Sequence, residues 1–386
     1  MQIKRFQFLN FGSLSFLAAV LLSSCKEKPS FISEADILRA HLNIPLEVAN
    51  YSSPQLPNFF ANQFVAIQNN TPLTNPTTDW GATLGRVLFY DQQLSKNNTI
   101  SCASCHQQSH GFADTSRFST GFTGGTTHRH SMALANAVYY TNGRFFWDER
   151  AATLEEQVLQ PIEDPIEMGM TMPEVIERLN RTEYYPILFE NAFGSREVSN
   201  DKIAKALAQF IRSMVSYDSK YDEGRSTVSE RTVDFPNFSQ EENAGKSIFM
   251  SSNKVNCFGC HNTDVFIGDN ARNNGLSERN TDEGTYIYTQ NDLDKGKFKT
   301  PSLKNVAVRG RFMHDGSLTS LDQVIEHYNS GIRANENLDP HLVDIATRTP
   351  IKMGLTTLEK SQLKAFLETL TDYTLLSDEK FSNPFR

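Results

Sequence analysis

Four cysteines decide what this chain can fold into. Cys102-Ala103-Ser104-Cys105-His106 and Cys257-Phe258-Gly259-Cys260-His261 repeat one pattern, Cys-x-x-Cys-His. Two thiols three positions apart sit on one turn, where each can add to a vinyl group of haem. The adjoining histidine then falls beneath the iron as its fifth ligand. Structural zinc sites and redox dithiols also use Cys-x-x-Cys, but neither needs a histidine directly after both second cysteines. The pattern therefore predicts two covalently bound haem c groups, one on Cys102, Cys105 and His106, the other on Cys257, Cys260 and His261.

The chain has five cysteines, and the fifth, Cys25, has its own context. Lys4 and Arg5 form a charged start, Phe6 to Leu22 is mostly apolar, and Leu22-Ser23-Ser24-Cys25 follows. This resembles a bacterial lipoprotein signal, with residues 1–24 removed and Cys25 lipidated as the new N-terminus. A transmembrane anchor is the poorer reading, because Gln7, Asn10 and several serines interrupt the apolar run. Lipidation leaves no cysteine for a disulfide and places the protein in the periplasm or cell envelope, outside the cytoplasm, where c-type haem is assembled. The two signals agree.

At 386 residues the chain is long enough for about two domains with cores of their own. Its net charge is −8, and loss of Lys4 and Arg5 with the leader takes it to about −10. That balance argues against nucleic acid as a partner and mildly favours a basic electron donor.

Taken in order, residues 25–78 read as a tether and N-terminal wrapping segment, with a helix starting at Ser33-Glu34-Ala35-Asp36. Asp79 is placed to cap the next helix, in which Leu84, Val87 and Leu88 have helical spacing. An internal repeat then appears. Leu84-Gly85-Arg86-Val87-Leu88-Phe89 precedes the first motif and Ala244-Gly245-Lys246-Ser247-Ile248-Phe249 the second. Helix, polar loop and Cys-x-x-Cys-His is how a cytochrome c fold begins, so two copies predict two haem lobes. The expected fold is mainly α, with a haem domain at 79–235 and a second, cytochrome c domain at 236–386. Asp201 to Ser216 reads as an amphipathic helix between the lobes, and polar Ser219 to Asn237 as their boundary. Thr356 and Glu359 form a capping box for a closing helix carrying Leu363, Phe366, Leu367 and Leu370. Asn262 to Phe298 is a long polar insert, either a docking loop near the haem edge or a solvated loop without function.

Further residues bring a resemblance. Phe146-Trp147-Asp148-Glu149-Arg150-Ala151, Gln157 and Pro161-Ile162-Glu163-Asp164-Pro165-Ile166-Glu167-Met168 resemble the inter-haem segment of bacterial di-haem cytochrome c peroxidases. Arg129-His130-Ser131-Met132-Ala133-Leu134-Ala135-Asn136 resembles the stretch just before it. Thr300-Pro301-Ser302-Leu303-Lys304-Asn305-Val306 and Phe312-Met313-His314-Asp315-Gly316 resemble the second-lobe signature. The MauG proteins, which use the same scaffold to oxidise a partner protein, belong to the same superfamily. The likeness runs from about Trp80 to the C-terminus.

This resemblance implies roles. His106 becomes the proximal ligand of the peroxidatic haem and His261 that of the electron-receiving haem. Glu167 becomes the distal acid and base, Gln157 a distal hydrogen-bonding group and Trp147 a relay between the haems. Chemistry supports the choice of a carboxylate. Splitting peroxide needs a proton taken from the near oxygen and given to the leaving one, and a carboxyl group of raised pKa does both. Glu163 and Asp164 stand close to Glu167, and for Trp147 plain core packing is the alternative.

The chain also departs from the family. Phe122 stands where peroxidases that rest inactive have a distal histidine, so an open sixth site is expected, as in MauG; His110, His128 and His130 lie in the region. His130 replaces an Asn that supplies calcium in the family, and imidazole is a poor ligand for calcium, which leaves that ion doubtful. Tyr328 falls where peroxidases place a Met on the second haem and MauG places a Tyr. Met313 and His327 are the alternative ligands.

The implied function is reduction of hydrogen peroxide to water, with electrons from a small redox protein such as a cytochrome c or a cupredoxin. One alternative is a MauG-like oxidase of a partner protein's Tyr or Trp residues; another is a non-enzymatic di-haem electron carrier. Related enzymes are often dimers, which makes a homodimer a further implied partnership.

Overall fold

A computed structural model describes residues 32–386 apart from 46 and 252–255. The leader and Cys25 lie outside the described residues. Helices carry the described fold, and strands are absent from it; only isolated bridges occur, such as Gln107 with Ala113 and Asn262 with Ile267. The expectation of a mainly α chain holds. No helix among the described residues is long and apolar enough to cross a membrane.

Two helix crossings organise the chain. The Asp79–Tyr90 helix packs on the Asn200–Ser213 helix, and the Gln240–Met250 helix packs on the Thr357–Glu368 helix. The internal repeat explains both. A Cβ on Gly85 would sit 2.0 Å from the Ala206 carbonyl oxygen, and one on Gly245 would sit 1.9 Å from that of Gln362. Each repeat thus places a glycine where two helix backbones touch, and a side chain there would force them apart. The Asn200–Ser213 helix is therefore the closing partner of the first repeat, and Ile203, Leu207, Phe210 and Ile211 on it are buried.

One apolar cluster gathers Leu84, Leu88, Phe89, Phe112, Leu207 and Phe210; another gathers Tyr221, Phe235, Phe249, Phe266, Leu363 and Phe366. Residues 34–386 form one compact unit.

Two readings of the sequence change. Thr78, not Asp79, caps its helix: the Gly81 N–H donates to Thr78 Oγ1 at 3.0 Å. The Asp79 carboxylate instead accepts from Tyr51 N and Ser52 N, both at 2.8 Å, and ties down the wrapping segment. The stretch from Ser219 to Asn237, read as a polar boundary, is itself folded. It contains the Lys220–Ser226 helix, capped by Ser219, with Tyr221 and Phe235 buried. Its Asp222 forms a buried ion pair with Lys304 at 2.5 Å. Finally, the insert from Asn262 to Phe298 is built into the fold at Val265, Phe266 and Ile267, all buried. The capping box of Thr356 and Glu359 is present as expected.

Candidate functional site

Both motifs sit on single turns. Cys102–Cys105 is one helical turn, stabilised at its start by Ser101 N donating to Ser104 Oγ at 3.0 Å. Cys257–Gly259 is a turn of 3-10 helix. All four thiols are free. Burial pushes the Cys102 and Cys257 thiols up to about 12, and Cys105 and Cys260 to about 11.

The His106 ring lies with Nδ1 3.0 Å from the Phe112 carbonyl oxygen. Only a protonated Nδ1 can donate there, so Nε2 keeps its lone pair for a metal. A short return loop presents that carbonyl: Phe112 takes a positive φ of 59°, and Gln107 bridges to Ala113. The second motif has a similar loop, from Asn262 to Ile267. Burial pushes His261 down to about 4, against the opposing pull of the Pro301 and Phe266 backbones beside its ring. A neutral imidazole keeps a ring-nitrogen lone pair for iron, and a carbonyl beside its other ring nitrogen fixes which one that is.

A cavity of about 1030 Å³ is lined by His106, Gln157, Glu167 and Trp147, and a smaller pocket beside it by Cys102, Cys105, His106, Gln157 and Glu167. Another cavity of about 180 Å³ is lined by Cys257, Cys260, His261, Tyr328, Met313 and Trp147. In each case two thiols and one neutral histidine converge on a cavity, so the residues present fit covalently attached haem c.

Glu167 is distinguished from its neighbours by placement. Glu163 and Asp164 line only the large cavity, whereas Glu167 also reaches the pocket beside Cys102 and Cys105. Asp164 is committed to the turn, its Oδ1 accepting from Ile166 N at 2.7 Å and Glu167 N at 3.1 Å. Burial, followed by the nearby charge of Asp164, pushes Glu167 up to about 7, opposed by Arg150. Gln157 faces the same space, and its amide makes no hydrogen bond to the described residues, which leaves it available to a ligand. Phe122 does not enter the cavity. Its ring packs over Gly169, where a Cβ would approach to 2.3 Å, and its N–H donates to the Glu167 carbonyl at 3.0 Å. His128 and His130 line the large cavity; His110 does not.

Trp147 lines both cavities, and its Nε1 donates to the His130 carbonyl at 2.7 Å. Two backbone bonds lock this region. His130 N donates to the His314 carbonyl at 2.8 Å, and Lys299 N donates to the Trp147 carbonyl at 2.7 Å. These are the same bond made twice. Residues 130–136 match 299–305, each ending in a left-handed Asn (Asn136, Asn305), and Phe145-Phe146-Trp147-Asp148 matches Phe312-Met313-His314-Asp315. Sequence reasoning found the repeat only ahead of the motifs. The shared Arg-Phe-x-x-Asp pattern at Arg144 and Arg311 was the signal that would have extended it to His130, His314 and Lys299.

The insert also reaches the site. Its Asp282 accepts two hydrogen bonds from Arg129, each at 2.7 Å, and Arg129 also pairs with buried Asp148 beside Trp147. Phe298 stacks on His314, centroids 3.6 Å apart and planes 8° from parallel.

In the second cavity the three ligand candidates separate. His327 turns away, its Nε2 3.1 Å from the Asn274 carbonyl, and it does not line the cavity. Met313 and Tyr328 both line it, and Met313 Sδ accepts from Asn274 Nδ2 at 3.2 Å. Tyr328 stands on a π-helical turn, His327–Gly331, that extends the Leu321–Glu326 helix. Such turns recur where a side chain must be re-aimed at a functional site. Burial pushes its phenol up to about 12. Near His130 the companions suit calcium poorly: His130 Nδ1 lies 3.1 Å from the Ser116 carbonyl, and burial, with a smaller push from the Arg309 guanidinium, holds the imidazole down. Among the described residues, the cluster of donors close enough to grip a metal is Cys260, Asp339 and His341, and its cysteine belongs to the second motif.

A family model described as di-haem cytochrome c peroxidase matches residues 80–227. The methylamine utilization protein MauG of Methylophilus methylotrophus is 34% identical over 299 residues, covering 78% of this chain and 84% of that protein. The cytochrome c551 peroxidase of Nitrosomonas europaea is 32% identical over 302 residues, covering 75% and 79% respectively. Among solved structures, a MauG-like protein associated with microbial copper homeostasis superposes with a TM-score of 0.71 at 30% identity, covering 88% of this chain and 99% of that one.

Proposed function

The chain belongs to the family of di-haem cytochrome c peroxidases and MauG proteins, and from that premise we propose that it reduces hydrogen peroxide to water at the His106 site. The electrons come from a small redox protein, a cytochrome c or a cupredoxin, through the His261 site. Two haem c groups, when attached, supply the redox iron for both steps. The observation that carries this reading is Glu167, lifted to about 7 and shared between the His106 cavity and the pocket at Cys102 and Cys105.

The protein's own groups perform the proton work. Glu167, as carboxylate, takes a proton from bound peroxide; as carboxylic acid, it returns that proton to the departing oxygen. Its pKa near neutrality makes both forms available in turn. Gln157 orients the oxygen pair by its free amide. Phe122 and Gly169 hold the Glu167 turn in place through packing and the Phe122 N–H. Trp147, facing both cavities, is the side chain through which an electron crosses.

A MauG-like reading has a specific observation in its favour: Tyr328 lines the His261 cavity, and a phenolate ligand stabilises the higher oxidation states of iron. In that reading the electrons come from Tyr or Trp side chains of a partner protein. The experiment mixes the haem-loaded protein with peroxide, with and without a reduced small cytochrome c. Sustained oxidation of the cytochrome supports the peroxidase. A long-lived oxidised spectrum with poor turnover supports the MauG-like reading, and a spectrum indifferent to peroxide refutes both. From the sequence alone we place the protein in the cell envelope, held by lipid on Cys25.

A further inference from the structure

Behind the wall shared by the two cavities lies a buried group of polar side chains that the peroxide reading leaves without a task. Tyr140 is 0% exposed and donates its hydroxyl hydrogen to Glu149 Oε1. The other carboxylate oxygen, Glu149 Oε2, accepts from Asn142 Nδ2 at 2.9 Å. Lys299 completes the group. Its Nζ donates to the Arg144 carbonyl at 3.0 Å and lies 3.7 Å from the centre of the Tyr140 ring and 4.2 Å from that of Phe145. Lys299 lines both cavities, and its backbone N–H is the one that holds Trp147. Tyr140 therefore stands one side chain behind the Trp147 wall.

The backbone supplies an independent observation. Glu149 has φ of 56°, and its counterpart in the second repeat is Gly316, with φ of 60°. Glycine is the residue that takes this conformation without strain, yet the first repeat spends the position on a buried carboxylate. Backbone strain of this kind persists where the side chain has work to do. What this side chain does is accept the phenol's hydrogen. Burial pushes the Glu149 carboxyl up, and the Lys299 charge counteracts it, so the group stands ready to take a proton. Burial pushes Lys299 itself down to about 7.

A buried phenol has one accessible route of oxidation. Loss of the electron alone would leave a cation in an apolar site beside an ammonium group, whereas loss of electron and proton together leaves a neutral ring. The Glu149 carboxylate stands where the proton must go. We propose that Tyr140 and Glu149 form a buried redox pair that holds one oxidising equivalent away from the haem sites. The Oη–H bond of Tyr140 breaks and a carboxyl O–H bond forms on Glu149. The phenol is oxidised by one electron to a neutral phenoxyl, and that electron satisfies one of the two oxidising equivalents of a hydrogen peroxide molecule. The inference rests on the peroxide reading above, since peroxide is the oxidant.

The test uses the haem-loaded protein, freeze-quenched after one equivalent of hydrogen peroxide, with the haem absorption spectrum and the electron paramagnetic resonance spectrum read on the same sample. The expected result is a neutral tyrosyl signal that narrows when the protein is made with ring-deuterated tyrosine. Tyr140→Phe should lower its yield at least tenfold while both haems remain attached. Glu149→Gln keeps the ring but removes the proton acceptor, and should lower the yield comparably; it carries the test if Tyr140→Phe does not load. Persistence of the tyrosyl signal in the loaded variants would overturn the inference, as would a radical that narrows only with deuterated tryptophan. A haem spectrum that responds to peroxide with no protein radical would overturn it too, leaving the peroxide reading intact. A haem spectrum that ignores peroxide would overturn both.

Discussion

Replacing Glu167 with Gln keeps the shape of the side chain and removes its titration. The carboxyl is pushed up to about 7 by burial and by Asp164. With that value about one-tenth of the molecules carry the carboxylate at pH 6, about half at pH 7 and about nine-tenths at pH 8. The first proton transfer needs the carboxylate, so the second-order rate constant with peroxide should climb with pH and flatten above about 8 in the native protein. Because the folded pKa is raised, this ionised form is the one burial penalises, and it is gained as pH rises through the folded value rather than through the ordinary carboxylate range. General acid–base catalysis by a positioned group contributes ~10² to 10⁴-fold, or about 3 to 5 kcal/mol. Glu167→Gln should therefore be slower by that factor at pH 8 and show a flat profile from pH 6 to 8. The assay is stopped-flow absorption of the haem after mixing with excess peroxide, with haem content measured on the same preparation. A variant that reacts at the native rate, or a native profile with no rise near neutrality, would refute the assignment of the base.

Three further outcomes are expected. Tyr328→Met should raise the potential of the second haem by on the order of 0.1 V in spectroelectrochemical titration; if instead Met313→Leu moves the potential and Tyr328→Met does not, Met313 is the ligand. Gly245→Ala, whose new Cβ would stand 1.9 Å from the Gln362 carbonyl oxygen, should lower stability by ~1–3 kcal/mol in urea titration, and a shift of the midpoint too small to measure would show that the helices slide apart freely. Lys304→Met leaves Asp222 buried without its partner and should cost about 3–5 kcal/mol, much of it recovered in the Lys304→Met, Asp222→Asn double variant; equal costs for the single and double variants would remove the pair from the account.

The parts of this protein that sequence made legible are those where chemistry is local. Two thiols and a histidine must lie within one turn to hold one haem, so the motifs could be read as a string and the structure places each trio on one cavity. Glu167 was singled out by its surrounding motif, and what sets its placement apart from Glu163 and Asp164 appears only in three dimensions, where Asp164 is spent on the turn. What could not be read was pairing across distance. The letters of Ser219 to Asn237 are polar, and nothing in them shows that Asp222 meets Lys304 from 82 positions away with both buried. The shift of the cap from Asp79 to Thr78 has the same origin, since the Asp79 carboxylate is claimed by Tyr51 and Ser52, far upstream. His327 and Tyr328 are adjacent letters, and only the π-helical turn decides which one faces the cavity.

The reciprocal bonds from His130 to His314 and from Lys299 to Trp147 have a mechanical result. Each half of the repeat clasps the loop belonging to the other, as two links of a chain do, so the Trp147 loop is held from both halves. The wall between the two cavities is thereby pinned by main-chain bonds as well as by side-chain packing. Surface substitutions leave these main-chain bonds in place, whereas severing either clasp would loosen the junction from both ends at once.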